Sequence, residues 1–307
     1  MAAYAARRLL WMLVVLLGVS VVTFCMLYVI PGDPARLLAG PTASPQAVTN
    51  IRHHLGLEGS LASRYGLWLW HLAHGDLGTS FKYQVPVLDS ILQRLPATAF
   101  LAGAGLLCEL LIGIPIGIIA AVRPYTWLDR CLTLFSLLGV TAPSFWLGLL
   151  LLYWVAFRWH LVPLGGYGGL DHVLLPALTI GLAGGAWYAR LLRAGMLDTL
   201  QSDFIRTARA KGLSGRQVVL RHALPNALLP VVTQIGLDMG SLLSGVLIVE
   251  VVFGWPGVGN WAWTAVQNLD YPVVLGTVLV SAVAISLCNL AVDLIYPLLD
   301  PRVEHED

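Results

Sequence analysis

Four carboxylates lie within long apolar runs of this chain: Glu109, Asp238, Glu250 and Asp293. A carboxylate at the centre of a bilayer costs about 2.5–3.5 kcal/mol on insertion scales, so each is a functional candidate. Asp238 has company. Gln234, Asp238 and Ser241 follow one another at helical spacing and share one face. Such a face is suited to line a path and to attract a cation or a peptide amine. It is equally suited to an interhelical hydrogen bond, within a bundle or to a partner chain.

Two other groups carry metal-ligand or nucleophile chemistry. His71 and His74 sit one turn apart on an expected helix, the spacing of a metal-ligand pair. Asp76 is close in sequence, but nothing obvious completes a coordination shell. A tight site would also oppose release from a conduit, and a plain helix surface accounts for both histidines. Cys25, Cys108, Cys131 and Cys288 lie in or beside apolar runs without a C-x-x-C pair. Neither a disulfide framework nor a zinc site is expected from them. The chain has no G-x-S-x-G, no H-E-x-x-H and no phosphate-binding loop. No catalytic residue and no cofactor bound by this chain is therefore expected.

The elements that must position these residues are membrane helices. Of 307 residues, 57% are hydrophobic and only 11% charged. A soluble domain carries roughly 25% charge. A mean hydropathy of +0.76 points the same way. A net charge of +1 gives no sign of nucleic-acid binding. Arg7 and Arg8 precede an apolar stretch from Leu9 to Ile30. That stretch is too long for a signal-peptide core and long enough to span a bilayer, so it reads as a retained first helix. Five more apolar segments follow, at 97–122, 132–157, 173–193, 229–252 and 273–297. Pro115 and Pro143 are tolerable inside such helices. Gly103, Gly105, Gly113 and Gly117 in the second, and Gly236, Gly240 and Gly245 in the fifth, suit close helix packing.

The loop charges orient these spans. With the N-terminus inside, the inside segments hold 12 Lys and Arg residues, and the two short outside loops hold only Arg158. The remaining basic residues lie in 31–96, a segment long enough to be translocated largely regardless of charge. Both termini are therefore expected in the cytoplasm. The outside segment 31–96 opens with Pro31-Gly32-Asp33-Pro34, which stops the first helix. An amphipathic helix is expected near Ser63–His74, with Tyr65, Leu67, Trp68, Leu69 and Leu72 on its apolar side.

The inside segment 194–228 has the densest positive charge. Ser202 is placed to cap a short helix, with Asp203 in its first turn and Arg209 and Lys211 in its last. Gly212 is a natural left-handed stop. Ser214 is placed to cap a second short helix, expected to end before Pro225. By its residues alone, this segment is either a docking element or a basic loop that sets topology.

Thr207-Ala208, Gly212 and Leu224-Pro225 resemble the cytoplasmic signature of bacterial ABC-importer permeases. That signature reads Glu-Ala-Ala, three residues, Gly, nine residues, then Ile-x-Leu-Pro. Here Arg206 stands for the Glu, Thr207 for the first Ala and His222 for the Ile. The Arg-Thr-Ala form resembles the peptide/nickel branch. Other elements at membrane boundaries extend the resemblance over nearly the whole chain: Gly75-Asp76-Leu77-Gly78, Pro256-Gly257-Val258-Gly259, Asp270-Tyr271-Pro272 and Leu299-Asp300-Pro301-Arg302. Within the branch, Tyr65-Gly66-Leu67-Trp68-Leu69-Trp70, Gly166-Tyr167-Gly168-Gly169 and the run Ala189–Asp198 look most like a nickel-transport permease.

The resemblance implies an all-α, type I ABC-importer permease fold with six transmembrane helices. Its divisions would be helix 1 at 1–30, an extracytoplasmic segment at 31–96, a permease core at 97–300 that includes the coupling loop 194–228, and a tail at 301–307. It implies that Asp203, Arg206, Thr207, Ala208, Lys211, Gly212 and Leu213 couple to an ATPase. The implied partners are a homologous second permease, two ATPase subunits that use ATP, an extracytoplasmic binding protein and membrane lipid. The implied location is the bacterial inner membrane. The implied cargo is nickel, as ion or chelate, with dipeptides or oligopeptides as the alternative. Leu213-Ser214-Gly215-Arg216-Gln217 also resembles the ATPase signature Leu-Ser-Gly-Gly-Gln, but without a phosphate loop it reads as coincidence. A stand-alone secondary carrier would account for the acids but not for the coupling segment. It would also be unusual without an internal repeat.

Overall fold

The computed structural model describes residues 2–29, 33–40, 42–55 and 57–299, and among them every regular element is a helix, with one isolated bridge between Thr79 and Pro86. In chain order the helices are α1 (Ala2–Val29), α2 (Pro34–Ala39), α3 (Pro45–His54), α4 (Leu61–Ala73), α5 (Val87–Val122) and α6 (Trp127–Thr141). Then come α7 (Ser144–Leu151), α8 (Leu170–Leu200), α9 (Asp203–Ala210), α10 (Gly215–Gln217) and α11 (Leu224–Ala227). The last four are α12 (Leu229–Gly245), α13 (Leu247–Phe253), α14 (Val258–Gln267) and α15 (Tyr271–Leu299).

The six apolar segments reappear in three forms. Four helices, α1, α5, α8 and α15, are long and apolar enough to cross a membrane unbroken. The third segment is split. α6 and α7, with the π-helical stretch Leu152–Arg158 that extends α7, form a pair bent by 106°. Pro143 causes the break. It lacks an N–H and forces Ala142 out of the helical region, to φ −73° and ψ 128°. The fifth segment is also divided, into α12 of 17 residues and α13 of 7. α5 starts ten residues before its apolar run, because Val87 and Ile91 are fully buried in a core of their own. At 36 residues it is about 54 Å long, well beyond the roughly 30 Å of a hydrocarbon core.

The chain divides into two compact units. The first comprises Met1–Thr98 and Pro256–Leu294. Its core joins Val87 and Ile91 to Val258, Trp261 and Val273. A Cβ on Gly276 would lie 2.6 Å from Val87 Cγ1, so this crossing requires glycine. Asp270, 1% exposed, accepts hydrogen bonds from the Ser80 hydroxyl and from the Phe81 and Lys82 amides. Those bonds fasten the turn that precedes α5. α4 forms close to its expected place, capped by Ser60, whose side chain accepts from the Ser63 amide.

The second unit comprises Ala99–Trp255 and Ile295–Asp307. α8 is its axis, with 61% of its membrane window buried, against 11% for α1 in the other unit. Small residues let neighbours approach it closely. A Cβ on Gly113 would lie 2.7 Å from Gly185 O, on Gly117 2.9 Å from Ala189 O, and on Gly139 2.6 Å from Ala186 Cβ. Gly103 has open space and takes no part in this packing. At the positively charged end, Arg193 donates two hydrogen bonds of 2.7 Å to the Asp129 carboxylate, tying α8 to the start of α6.

Candidate functional site

The segment after α8 is built as expected, with two changes. α9 is short, polar and one-sided. Ile205 and Ala208 are buried, in a cluster with Leu192 and Met196 of α8 and Val218 and Ala223. Asp203, Phe204, Arg206, Thr207 and Lys211 are exposed. Gly212 has φ +80°, the left-handed stop the sequence called for. Ser214 forms a reciprocal capping box with Gln217. Ser202 occupies the cap position of α9 without capping it. Its hydroxyl donates instead to Thr199 O at 2.6 Å, back into the end of α8.

The second change is at Pro225. The helix expected to end there continues, through a π-helical stretch at Val218–Ala223 into α11. Leu224, the residue before the proline, stays helical at φ −57° and ψ −47°. The wider π turn accommodates a residue that cannot donate, and Pro225 falls in the first turn of α11, where an N–H is dispensable. Asn226 Nδ2 donates to His222 O at 2.7 Å, satisfying one carbonyl beside the break.

Two of the membrane carboxylates, Glu109 of α5 and Asp238 of α12, meet the same stretch of α8. Gln234 Nε2 donates to Asp238 Oδ1 at 2.9 Å, confirming that the two share a face of α12. The Tyr188 hydroxyl of α8 donates to Asp238 Oδ2 at 2.7 Å. Tyr188 is 1% exposed. Glu109 of α5, 5% exposed, packs on the same stretch of α8. A Cβ on Gly184, one turn before Tyr188, would lie 2.7 Å from Glu109 Cγ. The side chains of Ser241 and Asp293 lie outside the described residues. Glu250 is fully buried in α13.

This arrangement joins an exposed basic platform to a buried acidic group through one helix. Residues 113–305 match the family described as the binding-protein-dependent transport system inner membrane component, and residues 1–102 match its N-terminal counterpart. The chain belongs to this family. It is an ABC-importer permease subunit of the inner membrane and not a catalytic enzyme. It is 44% identical to the probable D,D-dipeptide transport system permease protein DdpB of Escherichia coli K12, over 97% of this chain and 96% of that one. It is 36% identical to the dipeptide permease DppB of the same strain, with both chains fully covered. The glutathione transport system permease GsiC of Salmonella paratyphi A is 39% identical, again with both chains fully covered. The fold resembles the MetNI methionine ABC transporter in an inward-facing conformation, with a TM-score of 0.57 at 16% identity, covering 68% of this chain and 96% of that one.

Within the permease, the remaining candidates sort as follows. Ala208 is buried and Leu213 half-buried, so both anchor the segment 194–228 from beneath, whereas Asp203, Arg206, Thr207, Lys211 and Gly212 reach solvent. Phe204, 47% exposed at the outer side of α9, was not singled out by the sequence. Its only signal is an aromatic on the charged face of a capped helix. Tyr188 was missed because its partner lies 50 residues away. His71 Nδ1 lies 3.3 Å from Asp76 Oδ2, and His74 Nδ1 lies 2.8 Å from Trp70 O. No cluster of three or more metal-ligating side chains occurs among the described residues.

Proposed function

We propose that this permease forms half of the translocation path of an ATP-driven importer for short peptides. The observation that carries the reading is end-to-end similarity, at 36–44% identity, to permeases named for dipeptides. Nickel, favoured by the stretches around Tyr65–Trp70 and Gly166–Gly169, takes second place to that similarity. The other parts of the machine would be a homologous second permease, two ATPase subunits that consume the ATP, and a binding protein outside. Both termini and 194–228 face the cytoplasm in this reading, from the 12-to-1 bias of basic residues. The segment 31–96 and the stretch 254–272 face the binding protein.

The geometry supports a route for the drive. An ATPase closing on ATP would carry α9 with it through the exposed Asp203, Arg206, Thr207 and Lys211. Ile205 and Ala208 pass that displacement to Leu192 and Met196 on α8. Tyr188 lies one turn beyond Leu192, and its hydroxyl holds Asp238. Movement of α8 therefore changes the acidic group directly. Asp238 supplies negative charge suited to a peptide's ammonium, and the buried Glu109 carboxyl lies on the same stretch of α8. Gln234 and Tyr188 hold Asp238 in place between passages.

The deciding experiment is uptake in a strain deleted for the whole transporter and complemented with it. Labelled dipeptide should accumulate in an ATP-dependent manner. Labelled nickel, offered with and without a chelator, should not. Nickel uptake without dipeptide uptake would overturn the peptide reading and leave the permease assignment intact.

A further inference from the structure

In the first unit, a cavity of about 670 Å³ opens beneath α4. That volume falls in the range of ligand sites. Phe24, Leu55, Leu67, Leu77 and Leu275 line it with apolar surface, and Trp68 and Arg64 lie on the same wall. Trp68 Nε1 is fully buried and has no hydrogen-bond partner among the described residues. Buried donors are almost always satisfied, so this N–H marks where an acceptor oxygen belongs. Neither the coupling segment nor the membrane acids explain it.

The position of the cavity limits what it takes. Phe24 lies near the end of the span Arg7–Met26, and Leu275 near the start of the span Tyr271–Ala291. The cavity therefore begins inside the apolar layer and continues under the soluble helix α4. Tyr65 and Trp68 pack on Phe24, with ring centroids 5.2 and 6.0 Å away. Amphipathic aromatics of this kind occupy the membrane interface. The polar wall favours an anion. Arg64 is cationic, and Asp76, the one carboxylate on the lining, is engaged with His71. Among the described lining residues, a peptide ammonium would meet only this one carboxylate, already shared with His71.

We infer that this cavity binds a phospholipid of the outer leaflet, with an acyl chain against Phe24, Leu77 and Leu275, an ester carbonyl on Trp68 Nε1 and the phosphate toward Arg64. The inference rests on the membrane reading of α1 and α15 and on the outside placement of 31–96, not on the cargo. A bound lipid would fix α4 to the ends of α1 and α15.

The test uses the complete importer in nanodiscs that contain a phosphatidylglycerol with a photoreactive group on one acyl chain. Labelled residues are mapped by mass spectrometry. Labels are expected on residues 51–77 as well as on the lipid-facing surface of α1 near Trp11, toward its cytoplasmic end. Trp68→Phe keeps the ring and removes the donor. Leu55→Trp fills the space. Each should reduce labelling of 51–77 several-fold and leave labelling near Trp11 unchanged. If Trp68→Phe fails to assemble, Leu55→Trp decides. Labelling confined to the spans, or undiminished in the assembled variants, overturns the inference. So does displacement of the label by excess dipeptide, which would make this a cargo site. Labelling by a photoreactive free fatty acid but not by the phospholipid overturns it too. Proteolysis from outside, with 31–96 protected, would instead mean that the topology had failed.

Discussion

The proposed coupling segment and the acidic group of α12 are both polar regions of one unit, and they treat charge in opposite ways. Asp203 and Arg206 at the coupling helix have side chains 95% and 75% exposed, only 3.2 Å apart. Such a pair contributes little, since exposed ion pairs are worth roughly 0–1 kcal/mol. In the proposed function, their value lies in being available to an ATPase. Glu109 and Tyr188 are 5% and 1% exposed. There polar atoms are answered within the bundle, as the Tyr188–Asp238 and Gln234–Asp238 bonds do for Asp238. The exposed region can lose a charge and keep its shape, whereas the buried one cannot. Substitutions in the two regions should therefore separate docking from passage.

The largest effect is expected at Asp238. Asp238→Asn keeps the size and removes the charge. Uptake should fall by about tenfold or more, the equivalent of at least ~1.4 kcal/mol, if the carboxylate meets a cationic cargo. Stimulation of ATP hydrolysis by the loaded binding protein should persist. Tyr188→Phe deletes a single hydrogen bond to a charged acceptor, worth roughly 1.5–3 kcal/mol, but leaves the Asp238 charge in place, so its loss of uptake should be smaller. Normal uptake by Asp238→Asn would show that the group only packs helices and would end its role in the path.

At Gly212 the comparison runs the other way. A side chain there has open space around it, so bulk is not the obstacle. The obstacle is φ +80°, which costs an L-residue about 1–2 kcal/mol. Gly212→Val should therefore loosen the end of α9 and weaken coupling, read as basal ATP hydrolysis that no longer drives uptake. Gly212→Asn, which tolerates this conformation, should retain much of the coupling. Equal damage from both would mean that Gly212 is needed for contact with the ATPase rather than for its backbone.

What the sequence revealed follows the reach of each signal. Gly212, the Ser214 cap and α4 are set by neighbours a few residues away, and each formed where its residues required. The apolar segments were equally legible because bilayer thickness fixes their length. Their interruptions were not. Pro143 was recognised as tolerable, yet whether it kinks a helix or divides it by 106° depends on what α8 and α13 place beside it. α5 begins early because Val87 and Ile91 meet Val258 and Val273, a pairing across the length of the chain. The acidic group was half visible: Gln234 and Asp238 are one turn apart, whereas Tyr188 and Glu109 reach them only through tertiary packing.

The smallest effects come from the two serines at the helix starts, and they separate a cap from its appearance. Ser214 accepts from the Gln217 amide while the Gln217 side chain reaches back to the Ser214 amide. Removing the hydroxyl in Ser214→Ala should cost about 1 kcal/mol, the usual value of an N-cap. The expected readout is faster amide hydrogen exchange over 214–218 in the assembled importer. Ser202 occupies the same position before α9, but its hydroxyl is turned to Thr199 O. Ser202→Ala should leave exchange at the α9 amides nearly unchanged and instead loosen the last turn of α8. If Ser202→Ala unravels α9 as much as Ser214→Ala unravels α10, the hydroxyl caps α9 in the working transporter after all. The coupling helix would then be held by its own first turn rather than by Ile205 and Ala208 beneath it.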